Sequence, residues 1–196
     1  MTINGFMMIL ARFMAILGGA VLSLLVVLTV ISIAGRILNG FLHGDFMQGF
    51  APGLATWLLD LGIGPVNGDF ELVEAGVAFA IFAFLPLCQI TAGHASVDVF
   101  TNLLPRGFNR FSRMVIEIVF AAVLVLIAWR LYEGMMSKKS YNETTFLLQF
   151  PIWWAYAASL FGAVVAALVG VYVALVRVFE YLTGRNVIHD GLETNQ

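Results

Sequence analysis

The chain has 196 residues, 61% of them hydrophobic and 11% charged, and its mean hydropathy is +0.94. A soluble domain of this length does not keep so apolar an average residue in water, so the composition places the chain in lipid. The formal net charge is −2 and the ten Lys and Arg residues are scattered between hydrophobic runs, which supplies no basic field for nucleic acid.

A helix needs about 20 apolar residues to cross the ~30 Å hydrocarbon layer, and charged residues divide the sequence into four runs near that length. The first span is read at roughly 13–35; its uncharged stretch from Phe13 to Gly35 is 23 residues long without a clear cleavage site, so it is read as a retained helix and not as a signal peptide. The connection from Arg36 to Phe70 is too long for a turn. Within it Leu54, Trp57, Leu58 and Leu61 recur at i, i+3, i+4 and i+7 after Pro52, with Gly62 as a stop, which predicts an outer amphipathic segment at about 52–62. With tryptophan on its apolar face, this segment is expected to lie in the interface or against another membrane subunit.

The second span is read at roughly 73–93 and holds the single cysteine, Cys88, which by itself builds neither an internal disulfide nor a thiolate metal site. After it, Val97, Phe100, Thr101 and Leu104 repeat the amphipathic spacing up to Pro105, predicting an inner amphipathic segment at about 94–104. The third and fourth spans are read at roughly 113–133 and 152–176. Pro151, with Trp153, Trp154 and Tyr156 after it, suits a helix start at an aromatic belt. Backbone polar groups find no water in lipid, so runs of this length are helices. The predicted class is an all-α integral membrane protein: four transmembrane helices plus short amphipathic interfacial helices, in a single membrane domain over 1–196.

Four spans place both termini on one side. That side holds Arg12, Arg106, Arg110, Arg113, Arg177 and Arg185, against Arg36, Arg130, Lys138 and Lys139 on the other, so the positive-inside rule predicts cytoplasmic termini.

The polar residues near span ends are the candidates for specific contacts. Glu71 and Glu74 share a helix face at the outer entrance of the second span, and Arg36 ends the first span on the same side, which predicts an Arg36 ion pair with Glu71 or Glu74. Arg106, Arg110, Arg113 and Glu117 form one stripe entering the third span. Arg113 is expected to pair with Glu117, and Arg106 and Arg110 to meet lipid headgroups or a partner, as are Trp57, Trp153 and Trp154. His94 and Asp98, four apart, suggest a further pair on the inner surface. Ala11, Ala15, Gly19 and Ser23, and likewise Ala158, Gly162, Ala166 and Gly170, recur every four residues and predict helix packing faces. Lys138, Lys139 and Glu143 are outer-loop candidates for contact with a soluble partner.

The histidines, His43, His94 and His189, all lie outside the middle of a span, which argues against membrane haem, and no phosphate loop, HExxH pair or serine-nucleophile motif occurs. No enzyme activity, metal or cofactor is expected.

In this order and on four spans, Arg36, Phe70-Glu71-Leu72-Val73-Glu74, Gly93-His94-Ala95-Ser96-Val97-Asp98, Leu104-Pro105-Arg106 and Leu148 to Tyr156 resemble the small membrane subunit of tripartite ATP-independent periplasmic transporters, the DctQ-like family. Phe70 stands where a tryptophan is common in that family, and the stretch from Asn39 to Gly68 is longer than in compact members. The resemblance implies a non-catalytic small subunit in a bacterial inner membrane. Besides the membrane lipids expected from the arginines and tryptophans, its implied partners are a large membrane subunit that moves organic acids or related carboxylate solutes with sodium, and a periplasmic substrate-binding protein. It further implies that the chain braces the large subunit's scaffold and helps dock the binding protein. The alternative is an autonomous small homo-oligomeric transporter. That class requires a central membrane carboxylate, whereas Glu74 and Glu117 both sit near span ends.

Overall fold

The computed structural model describes residues 3–91, 93 and 106–183. Six helices carry the described chain: α1 (Ile3–His43), α2 (Asp45–Phe50), α3 (Pro52–Asp60), α4 (Asp69–Ile90), α5 (Arg106–Ser140) and α6 (Trp153–Thr183). The four long ones are each long and apolar enough to cross a membrane, so the chain is an all-α membrane protein. The expected segment at 94–104, the pair His94 and Asp98, and the tail from Gly184 lie outside the described residues.

The helices do not stop where the apolar runs stop. α1 extends beyond 13–35 at both ends and α5 beyond 113–133 at both ends, because a charged residue limits the hydrocarbon segment without breaking the i→i−4 ladder. At 1.5 Å per residue α1 is about 60 Å long, twice the hydrocarbon thickness. Its end is set by Gly44, whose N–H bonds to the Phe41 carbonyl at 3.1 Å. Pro52 then opens α3 in its first turn, and Gly62 (φ +83°) closes the turn after it. α3 turns the apolar face read from the sequence outward: Leu54, Trp57 and Leu61 are exposed, and the residue it buries is Ala55.

The four long helices form an open row in the order α1, α4, α6, α5. α1 packs along α4, α4 along α6, and α6 along α5, while α1 and α5 share no extended interface. Small residues set the close approaches. A Cβ added at Gly18 would lie 2.8 Å from Ala83 Cβ on α4, one at Gly162 2.9 Å from Phe82 Cβ, and one at Gly170 2.9 Å from Leu124 on α5. The α6 stripe is therefore internal at Gly162, Ala166 and Gly170, although Ala158 is exposed. On α1 the buried line is Ala11, Met14 and Gly18, which shares Ala11 with the stripe read in the sequence and then runs one position before Ala15 and Gly19. Gly19 has open space around it. One cluster, Ala11, Ile90, Val169 and Val173, ties α1, α4 and α6 together at the end of the helices nearer the start of α1.

Candidate functional site

The most elaborate polar construction lies at the opposite end, where the loop before α4 meets the last turns of α1. Ser32, Gly35, Arg36 and Asn39 fall at i, i+3, i+4 and i+7 and so form one stripe of α1. Every member grips the segment 63–69. Ser32, fully buried, donates its hydroxyl proton to Asp69 and accepts the Val66 N–H at 3.2 Å. Gly35 lies so close to the Gly64 carbonyl that no side chain fits between them. Arg36 Nη2 is 3.6 Å from Asp69 Oδ2, with its guanidinium 5.8 Å from the centroid of the Phe70 ring. Asn39 Nδ2 donates to the Ile63 carbonyl at 3.0 Å. Asp69 completes the junction by accepting the Phe70 N–H at 2.9 Å in the first turn of α4, where a carboxylate also meets the helix dipole favourably.

This corrects the expected partner of Arg36, which is Asp69 and neither Glu71 nor Glu74. Asp69 stands on the side of α4 that faces α1, and Glu71, two residues later, points about 200° away around the helix. There Glu71 meets the hairpin between α5 and α6. Its carboxylate accepts the backbone N–H of Leu147 at 2.6 Å and of Leu148 at 2.9 Å, a charge-assisted clamp on two successive amides. The hairpin carries its own bonds: Thr145 N–H to the Phe150 carbonyl and Ile152 N–H to the Glu143 carbonyl, both 3.0 Å, and the Lys138 to Glu143 ion pair at 2.6 Å. Gln149 (φ 54°) turns the chain at its tip. Lys139 lies 5.3 Å from the Trp153 ring centroid, and Trp153 meets Trp154 edge-on.

Between α4, α5, α6 and this hairpin lies a cavity of about 310 Å³. Glu71, Glu74 and Tyr156 are among its polar lining residues and Ala78, Phe82 and Leu131 among its apolar ones; Ser159, 3% exposed, also faces it.

At the other end of the helices the carboxylates are engaged between and along helices. Gln89, buried on α4, donates its side-chain amide to Glu117 on α5, so the bond seen across helices at Glu117 comes from α4. Arg177 and Glu180, both nearly buried, pair at 2.8 Å along α6. Arg110 and Arg113 are exposed on α5, and the Arg106 side chain lies outside the described residues. Sequence reasoning missed Ser32, Asp69, Gln89 and the Arg177–Glu180 pair as contacts. The available signal was a polar residue inside or bordering an otherwise apolar run, since a group that lipid cannot solvate must find a partner.

No group of three or more His, Cys, Asp or Glu residues able to hold a metal ion occurs among the described residues. Searches of curated proteins and of solved structures gave no match. The model of the family described as "Tripartite ATP-independent periplasmic transporters, DctQ component" matches residues 61–180, from the loop gripped by α1 to the buried ion pair of α6. With more than half of its length matched and four membrane-crossing helices in place, this chain belongs to the DctQ family, the small membrane component of these transporters.

Proposed function

We propose that the chain is a non-catalytic brace. It holds the scaffold of a large, sodium-coupled transport subunit in the bilayer and helps dock a periplasmic substrate-binding protein. The observation that supports this reading is the open row of helices. α1 and α5 end the row with long apolar faces that no described element covers, including Ile16, Leu24 and Val30 on α1 and Ile116, Val119 and Leu126 on α5. A row offers a flat wall against which a larger membrane protein can pack, whereas a closed bundle would bring α1 and α5 against each other. The described carboxylates also gather toward the two ends of the helices, which suits an accessory better than a subunit that conducts ions through its own middle.

In this reading 1–196 is one membrane domain with hydrocarbon segments near 13–35, 73–93, 113–133 and 152–176. Both termini are cytoplasmic, across a bacterial inner membrane. Arg106 and Arg110 meet anionic headgroups on the terminal side, and Trp57, Trp153 and Trp154 mark the opposite interface. Lys138, Lys139 and Glu143 belong to a hairpin already ordered by its own ion pair and by Glu71, so a binding protein would meet a preformed surface. The transported class is organic acids and related carboxylate solutes, selected by the partner proteins.

The test is sodium-driven uptake in liposomes that hold the large subunit with its binding protein, with and without this chain. Uptake falls to background without it. Full-rate transport by the large subunit alone would remove the bracing role.

A further inference from the structure

We propose that the cavity between α4, α5, α6 and the hairpin is a lipid site, selective for a phospholipid whose headgroup carries a primary ammonium. Four observations carry this, and none depends on the bracing role.

The first is charge. Glu74 faces the cavity and has no hydrogen bond or ion pair with any described residue. The cations described at that end are engaged elsewhere: Arg36 with Asp69, Arg130 with Glu133, Lys138 with Glu143, and Lys139 over the Trp153 ring. Glu74 is exposed, and no described cation at that end pairs with it, so its charge is open to a cation from solvent or from a bound headgroup. The second is depth. Trp153 and Trp154 mark a headgroup level, and Tyr156, one turn along α6, lines the cavity. Glu74, Ala78 and Phe82 follow one another down α4 at one turn each, so the cavity runs about 12 Å from that level into the hydrocarbon.

The third is the gradient along that length. The carboxylate is at the mouth, and Ala78, Phe82 and Leu131 continue below as an apolar slot, the polarity profile of a headgroup with the upper part of an acyl chain. The fourth is Ser159. It is 3% exposed, lines the cavity, and its hydroxyl makes no hydrogen bond to any described residue. Roughly 9 Å along α6 from Trp153, it is placed to donate to a glycerol-ester carbonyl, an acceptor found at the boundary between headgroup and chain. A volume of about 310 Å³ accommodates part of one lipid. The ammonium supplies N–H donors to Glu74. A choline headgroup has no such donor, and a glycerol headgroup on an anionic lipid adds like charge.

The experiment is native mass spectrometry of the full chain, delipidated in detergent and then equilibrated with equal amounts of phosphatidylethanolamine, phosphatidylcholine and phosphatidylglycerol bearing the same chains. One phosphatidylethanolamine is retained about tenfold over either competitor, the ratio expected for one charge-assisted hydrogen bond. Glu74→Gln brings the three to parity, and Ala78→Leu, which fills the slot and keeps the carboxylate, reduces retention of all three. Thermal unfolding of each variant controls for folding, and the selectivity of the unmodified chain decides the matter if a variant fails to fold. Equal retention of the three lipids by the unmodified chain overturns the proposal, as does selectivity that survives Glu74→Gln. So does equal retention combined with shielding of a Glu74→Cys thiol by the large subunit in a Cys88→Ala background, which would assign the site to a partner side chain.

Discussion

Ser32 shows how much one small hydroxyl carries when nothing else can solvate its neighbours. It is buried between an acceptor, Asp69, and a donor, the Val66 N–H, and it bonds both. Replacing it with alanine leaves an amide and a carboxylate oxygen each short of a partner, which costs about 1–3 kcal/mol. Ser32→Ala is therefore expected to lower the thermal midpoint clearly, and Arg36→Ala to lower it less, since the Arg36 side chain is 54% exposed and its ion pair is screened by solvent. Unfolding scans of the two variants side by side check the order. Glu71 acts on a different element. Its carboxylate holds the amides of Leu147 and Leu148, so Glu71→Ala is expected to speed hydrogen exchange at those two positions while exchange within α6 stays unchanged. Unaltered exchange at both amides would show that the hairpin's own bonds suffice.

Among the elements, α6 is the hub of the row and its glycines are the joints. Gly162→Ala would put a Cβ 2.9 Å from Phe82 Cβ and 3.3 Å from the Phe82 backbone, and this crowding is expected to cost about 1–3 kcal/mol. Gly19→Ala, with open space around it, should leave the isolated chain's midpoint where it was. The four long helices were readable from runs of apolar residues because lipid enforces that pattern without help from tertiary contacts. Their ends were not, because charge marks the membrane boundary while the backbone ladder continues past it. The junction at Ser32 and Asp69 was hidden for a related reason. Arg36 offered three carboxylates within six residues, and only the rotation of α4 relative to α1 picks Asp69. The offset of the α1 packing line from Ala15 and Gly19 to Met14 and Gly18 has the same origin. A four-residue stripe on a 3.6-residue helix drifts around the axis, and the partner's position decides which members it buries.

For the molecule as a whole, the row leaves α1 and α5 half covered, and its polar contacts lie near the two ends of the helices. That distribution is the support for the proposed bracing role. The family resemblance was legible in the sequence because its landmarks are short strings in a fixed order, and the structure brings two of them, Phe70 to Glu74 and Leu148 to Tyr156, together through Glu71. The cavity was not, since it is formed by residues from three helices and a hairpin that only packing brings together. The measurement that bears most directly on the proposed role is affinity recovery of this chain from its native membranes in mild detergent, with co-purifying proteins identified by mass spectrometry. The bracing role requires a much larger polytopic membrane protein at near-equal stoichiometry; recovery of this chain by itself, as a stable homo-oligomer, would contradict that role and favour an autonomous small transporter.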